Sequence, residues 1–432
     1  MATAETKKEF GIGILRGNIF WLVLCQCIWG FTTNIPSSYL PLYIEKLGGT
    51  AANVGYVRSI AALAGLFLYP VGGYIADKSG RVKLINWATF GYAFSFIPYA
   101  IAQNWQTIAF AAFFQSFVLF YNPILTVLMA DSIPIGKRAA GFGIAISVPQ
   151  AVAIFAPSVG GILVDRMGLI PALRMIYQVG FFAGIFVALL RRFTLKETLD
   201  TSKLEPIDWH NIPKIFKESY RSTWETIKWL PEPVRVLAIM QVVQIFFNGI
   251  AGSMWIVYAY TIIGITATQW GLTSAVQGTT RMIVAYNAGK IMDTHGRRKF
   301  LIPFIFLTPL IPLTFAFLVK NWTGLLLMVV PMAITNDFLL SGFQSLLADW
   351  VPRERRGRVT STVGTGAFYV DIRGTTSGGG MLLFIPAAIG QAFGGTIYMI
   401  NPTYPFIVCS AGMVIVAIWA YLKVKDPREI EK

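Results

Sequence analysis

The sequence predicts an all-α integral membrane protein, with twelve transmembrane helices arranged as two pseudo-symmetric six-helix bundles. Three observations lead there. The chain has 432 residues, of which 55% are hydrophobic and only 13% charged, and its mean hydropathy is +0.59. That is too apolar for a soluble protein. A helix needs roughly 20 apolar residues to cross a bilayer, and twelve such runs lie near 18–44, 53–76, 82–102, 106–130, 139–164, 171–191, 235–262, 268–289, 300–319, 323–347, 374–398 and 404–424. Finally, the chain repeats itself at half its length. Gly73-Tyr-Ile-Ala-Asp77-Lys-Ser-Gly80-Arg81 returns as Gly289-Lys-Ile-Met-Asp293-Thr-His-Gly296-Arg297, and the two Asp stand 216 residues apart. A second pair, Asp131 before Lys137-Arg138 and Asp349 before Arg355-Arg356, repeats at a spacing of 218.

These turns resemble the G-x-x-x-D-(R/K)-x-G-(R/K)-(R/K) signature of the major facilitator superfamily of membrane transporters. That family carries it between its second and third helices, with a weaker copy between the eighth and ninth. Val82 and Thr294 depart from the pattern at positions that are usually basic. The resemblance covers nearly the whole chain. It implies bundles at 1–191 and 235–432 joined by a segment at 192–234, and a gating set of Gly73, Asp77, Gly80, Arg81, Lys137, Arg138, Gly289, Asp293, Gly296, Arg297, Arg355 and Arg356. Asp77 is then expected to face the start of the eleventh helix and the basic turn at Lys137 and Arg138. Asp293 does the same toward the fifth helix. Such a latch closes one face of the two bundles when the cavity opens to the other. A bare carboxylate at a membrane face is costly, so Asp77 needs a partner. The plainer reading is that these residues set topology and fold.

The net charge of +15 suggests nucleic acid until its distribution is read. Of 36 Lys and Arg, 29 fall in the termini and the even-numbered connections, and four fall in the odd ones. This positive-inside bias puts both termini in the cytoplasm and favours anionic lipid, not nucleic acid. The three Cys all lie in apolar runs and imply no disulfide or metal site. The first run is too long for a signal peptide.

Along the chain, the first run carries Gln26 and Asn34 on one side at helical spacing, and Pro36 and Pro41 predict a kink. The second is rich in Gly and Ala, which allows close backbone approach. Arg58 near its far end is expected to snorkel to the interface. The fourth run sets Gln115 and Asn122 on one face. In the fifth, Pro157-Ser-Val-Gly160-Gly161 partly matches the antiporter branch of the superfamily, but Val152 and Ala156 replace two glycines. The helix-four Arg of that branch is Ala112 here if Gln115 is its Gln.

The 192–234 segment holds an amphipathic stripe of Ile212, Ile215, Phe216, Tyr220, Trp224 and Ile227, which reads as a helix on the inner leaflet or packed against the bundles. The seventh run presents Gln241, Gln244 and Asn248, with Trp255 two turns on, and the tenth presents Asn336, Asp337 and Gln344. Unsatisfied polar groups in hydrocarbon cost several kcal/mol each. These faces are therefore expected to line a central cavity, and interhelical hydrogen bonding is the alternative. Eleven extra residues precede the eleventh run, read as a cytoplasmic helix near 356–371 and a hinge at Gly378-Gly379-Gly380.

Arg281 and Asp337 lie about 12 and 18 Å from the nearer turns at 1.5 Å per residue, so they are within reach of each other. Asp337 is the candidate coupling residue; a structural ion pair or recognition of a charged substrate are the alternatives. No motif for nucleotide, metal or cofactor is present, and nothing points to an enzyme. The expected function is a secondary active or facilitative transporter of a small polar solute. It works as a monomer in the cell membrane by alternating access, with a co-transported proton left open. A sensor without net flux and a proton-coupled drug efflux antiporter are the competing readings.

Overall fold

Two short polar signatures start two equivalent helices. Thr50 caps Ala51–Ser79: its hydroxyl accepts from the Asn53 backbone N–H, and the Asn53 side chain accepts from the Thr50 N–H at 2.8 Å. Thr266 and Gln269 do the same for Ala267–His295. These reciprocal capping boxes are 216 residues apart, the offset of the Asp motif. Both helices then end at a glycine with positive φ, Gly80 at 92° and Gly296 at 95°, a turn that only glycine takes without strain. The duplication is thus written into backbone geometry at both ends of each helix.

The computed structural model describes residues 16–118, 121–134, 138–199, 212–352, 355–364, 366 and 380–424. In chain order its helices are α1 Asn18–Lys46, α2 Ala51–Ser79, α3 Arg81–Ile101, α4 Trp105–Val118, α5 Asn122–Ser132, α6 Arg138–Ala153, α7 Ala156–Met167 and α8 Leu169–Thr194. The connecting helix is α9 Ile212–Trp229. The second bundle holds α10 Glu232–Gly252, α11 Met254–Tyr258, α12 Ala267–His295, α13 Arg297–Leu307, α14 Leu310–Leu313, α15 Trp322–Trp350, α16 Arg356–Val363, α17 Met381–Ile400 and α18 Tyr404–Lys423. Several apolar runs are built of two segments, and two end in π-helical turns at Ala259–Ile263 and Thr314–Leu318. Among the described residues, eight helical stretches are long and apolar enough to cross a membrane. Large exposed apolar side chains such as Phe182, Phe193 and Leu327 face outward, as they do where lipid is the solvent.

The bundles meet along two seams related by the pseudo-symmetry. One is α2 against α17, the other α12 against α7. A Cβ on Gly395 would stand 2.0 Å from the Ala51 carbonyl oxygen, and one on Gly161 would stand 2.3 Å from that of Ala267; Ala51 and Ala267 are equivalent at the 216 offset. Only a missing side chain permits such contact. Both seams lie toward the face opposite the start of α1 and the end of α18. A single apolar cluster spans both bundles there, joining Tyr39, Val54 and Val57 to Trp255, Trp270 and Tyr398. The second large cluster, from Leu230 to Val424, belongs to the second bundle alone. The bundles are therefore shut at the opposite face.

The eleventh element differs from expectation. The helix at Arg356 stops at Val363, because Gly364 at φ 93° and Gly366 at φ 123° leave the helical region. The next described helix begins at Met381, with Gly380 as its cap; Gly378 and Gly379 lie outside the described residues.

Candidate functional site

At the face where α1 starts and α18 ends, each duplicated arginine meets the duplicated aspartate of its own half. Arg81 pairs with Asp131, and Arg297 pairs with Asp349. Both arginines are nearly buried, with side chains 9% exposed, so each is held inside its bundle. Arg81 also reaches the Thr198 hydroxyl at 3.3 Å, and Glu197 accepts from the Val82 N–H at 2.9 Å. The two repeats noted separately in the sequence are thus halves of one contact. Their nearly equal offsets, 216 and 218 residues, were the signal that would have paired them. Gly73, Asp77, Lys137, Arg138 and Asp293 have no described side-chain placement.

The remaining gating residues do other work. Arg355 stacks on the Trp229 ring, 4.2 Å from its centroid, and so ties α9 to the second bundle. Arg356 donates to the Val351 and Ala348 carbonyls, groups that the C-terminus of α15 leaves unbonded. Gly289 has open space around it. α9 itself packs across both bundles: the Tyr220 hydroxyl donates to the Leu66 carbonyl, and the Thr223 hydroxyl to the Met381 sulfur. Trp224 remains 57% exposed.

The most loaded place in the interior is the seam between α12 and α15. Arg281 Nε lies 3.3 Å from Asp337 Oδ1. The Asp337 side chain is 4% exposed and that of Arg281 22%, so solvent reaches the pair through the arginine. Asp337 Oδ2 has no hydrogen-bond partner. Gln277 stands one turn before Arg281 on the same face of α12. It is buried, and both of its amide atoms are unbonded. At the far end of the seam the Trp322 indole donates to the Thr273 hydroxyl at 3.1 Å. Sequence reading found Arg281 and Asp337. It passed over Gln277, although its spacing of four from Arg281 marks the same helix face.

The other polar candidates separate. Gln241 and Gln244 on α10 are buried with every amide atom unbonded, and Asn336 is buried beside Asp337. Asn248 is buried near Cys409. Asn34 bonds its own helix at Gly30, and Gln115 donates to Ser95 within the bundle, so both act as internal glue. Gln26 is partly exposed, and Gln344 is exposed beside a cavity with Arg356 and Thr360. The side chain of Asn122 lies outside the described residues. Trp255 is packed among aromatic rings. It is 1% exposed, packed on Phe315 and Phe406 at ring separations of 4.5 and 5.2 Å, because two apolar aromatics outcompete a polar face for an indole. Arg58 donates to the Ser37 carbonyl on α1 at 3.3 Å and does not snorkel.

Comparison with known proteins bears on what this architecture is for. A family model described as Major Facilitator Superfamily matches residues 13–230 and 237–432. The chain belongs to the major facilitator superfamily. It is 28% identical over 345 residues to the multidrug resistance protein MdtG of Enterobacter lignolyticus (strain SCF1), covering 77% of this chain and 78% of the relative. It is 26% identical over 344 residues to MdtG of Salmonella arizonae, covering 77% and 80%. Among solved structures, a variant of the nucleoside transporter NupG superposes with a TM-score of 0.69 at 13% identity, covering 94% of this chain and 99% of that one. The human organic anion transporter MFSD10 superposes at 0.63 and 14%, covering 94% and 100%. As a member of this superfamily the protein is a multi-pass membrane transporter of small molecules.

Proposed function

We propose that the protein is a secondary transporter that moves a small polar solute by alternating access, with the α12–α15 seam as its binding and coupling site and no enzymatic activity. The observation that carries this is an ion pair deep in apolar helices with one carboxylate oxygen and a neighbouring glutamine amide left unbonded. Unsatisfied buried groups cost about 1–3 kcal/mol each. A solute or a proton arriving at Asp337 Oδ2 and Gln277 recovers that energy, which is what makes binding favourable there. Asp337 is the coupling residue, and Arg281 either receives a solute anion or steadies the carboxylate. The units that move are 1–191 and 235–432, monomeric in the cell membrane, with both termini and 192–234 in the cytoplasm as the basic residues indicate. The Asp77 latch then works at that cytoplasmic face.

Uptake into liposomes containing the purified protein, measured across a panel of solutes with and without a pH gradient, tests this. Asp337→Asn is expected to lose uphill accumulation and keep solute exchange. Undiminished pH-driven accumulation in that variant refutes the coupling role. Drug efflux is the second reading, supported by likeness to relatives named for multidrug resistance. Outward movement of lipophilic drugs with inward proton flow, in the same liposomes, would select it.

A further inference from the structure

Between the connecting helix α9 and the short helix α16 lies a cavity of about 190 Å³. Two arginines line it, Arg355 at the start of α16 and Arg358 one turn on, and both are exposed. The Arg355 guanidinium lies over the Trp229 ring, 4.2 Å from its centre. A guanidinium stacked in this way is held in place while its N–H donors point outward in its own plane. Neither guanidinium has a hydrogen bond or a carboxylate partner among the described residues. Residues three apart share a helix face, and like charges there repel. The opposite wall comes from α9. The Thr226 hydroxyl donates to the Ser222 carbonyl at 2.9 Å, so its proton is used. The Ser222 hydroxyl, on an exposed residue, bonds no described group. Glu225 also lines the cavity, but its Oε1 accepts from Arg221 Nε at 2.9 Å. That leaves the two arginine charges without an answering carboxylate.

Two neighbouring forks and a hydroxyl suit an anion with more than two oxygens. One fork fills a carboxylate. A phosphate group has oxygens to spare for a second fork and for a hydroxyl. The cavity is smaller than the roughly 300–1,000 Å³ of pockets for drug-sized ligands, which fits a phosphate group and not a large solute. The first turn of α16 has no side-chain cap, and the start of a helix favours negative charge. We propose that this cavity is a phosphate site, in which Arg355 and Arg358 hold the oxygens and Ser222 donates from α9. The bound group bridges the connecting helix to the second bundle. The site is separate from Arg281 and Asp337 and stands whether or not the α12–α15 seam binds solute.

The test uses the full-length protein in delipidated detergent micelles. Its thermal unfolding is followed against inorganic phosphate and, at equal ionic strength, acetate and chloride. Phosphate is expected to raise the melting temperature saturably, and acetate and chloride are not. Arg358→Gln is expected to weaken the apparent phosphate affinity at least tenfold. Arg355→Lys, which keeps the charge and loses the fork, is expected to weaken it threefold to tenfold. Lys217→Gln removes a charge from an exposed residue of α9 outside the cavity, and its affinity is expected to stay within twofold of the parent. Absence of a saturable phosphate shift in the wild type overturns the proposal. So does an affinity within twofold of the parent in Arg358→Gln, or an equal loss in Lys217→Gln. Repeating the phosphate titration in nanodiscs identifies the source. A shift lost in phosphatidylglycerol and kept in phosphatidylcholine assigns the site to an anionic lipid headgroup; a shift kept in both assigns it to a soluble phosphate.

Discussion

Asp165 holds the opposite face shut at one seam and not the other. It lies in the last turn of α7, and its two carboxylate oxygens accept from the backbone N–H groups of Ala267 at 3.1 Å and Thr268 at 2.8 Å. Those are the first residues of α12, across the seam, where unbonded N–H groups and the helix dipole favour a negative charge. On the equivalent seam the position four residues after Gly395 is Met399, which can do nothing of the kind. Asp165→Ala removes both bonds. Hydrogen bonds to charged groups are worth about 1.5–3 kcal/mol each. Because Asp165 is exposed, solvent replaces much of that, and about 1.5–2 kcal/mol in total is a fair figure. The bonds exist only when the seam is closed, so the whole amount falls on the equilibrium between closed and open. At 1.4 kcal/mol per decade, the open population should rise about 10–30-fold. A single cysteine at Ser158, buried in this seam, reports it in a background where Cys25, Cys27 and Cys409 are replaced. Its labelling by a membrane-impermeant maleimide from the opposite face should accelerate by that factor in Asp165→Ala. Asp165→Asn, which keeps one acceptor, should lie between. A rate within twofold of the parent in Asp165→Ala refutes the argument.

The other seam is closed by space, not charge. Gly395→Val cannot pack, with a Cβ 2.0 Å from the Ala51 carbonyl, so transport should fall more than tenfold at normal membrane insertion. Gly143→Ala, which meets nothing within 4 Å, should leave transport intact. Arg281→Gln alone strands the buried Asp337 carboxylate and should cost about 3–5 kcal/mol in unfolding assays; adding Asp337→Asn should restore much of it, and no recovery would mean that the two are not coupled. For Arg81 and Asp131, a double-mutant cycle on thermal stability should give a coupling of about 1 kcal/mol, matched by Arg297 and Asp349, and a coupling in one half only would contradict the duplicated contact. A reporter fused after Lys432 should be cytoplasmic, and an external signal would reverse the topology.

The sequence by itself determined the class of protein and its symmetry. Twelve apolar runs leave the chain no soluble alternative, because no water-exposed surface could carry so many. The 216-residue repeat fixed that there are two like halves, and the charge at Arg281 and Asp337 stood out because ionisable groups are rare at such depth. What the sequence could not decide were relations between residues far apart in it. Asp131 and Asp349 were visible, but their partners depended on how α3 and α5, or α13 and α15, pack. Trp255 read as part of a polar face until Phe315 and Phe406 filled the space around it. Asp165 belongs to no repeat or motif in the sequence. Its two bonds cross to a helix that begins about a hundred residues later, and only the packing of two bundles against each other brings that helix start within reach.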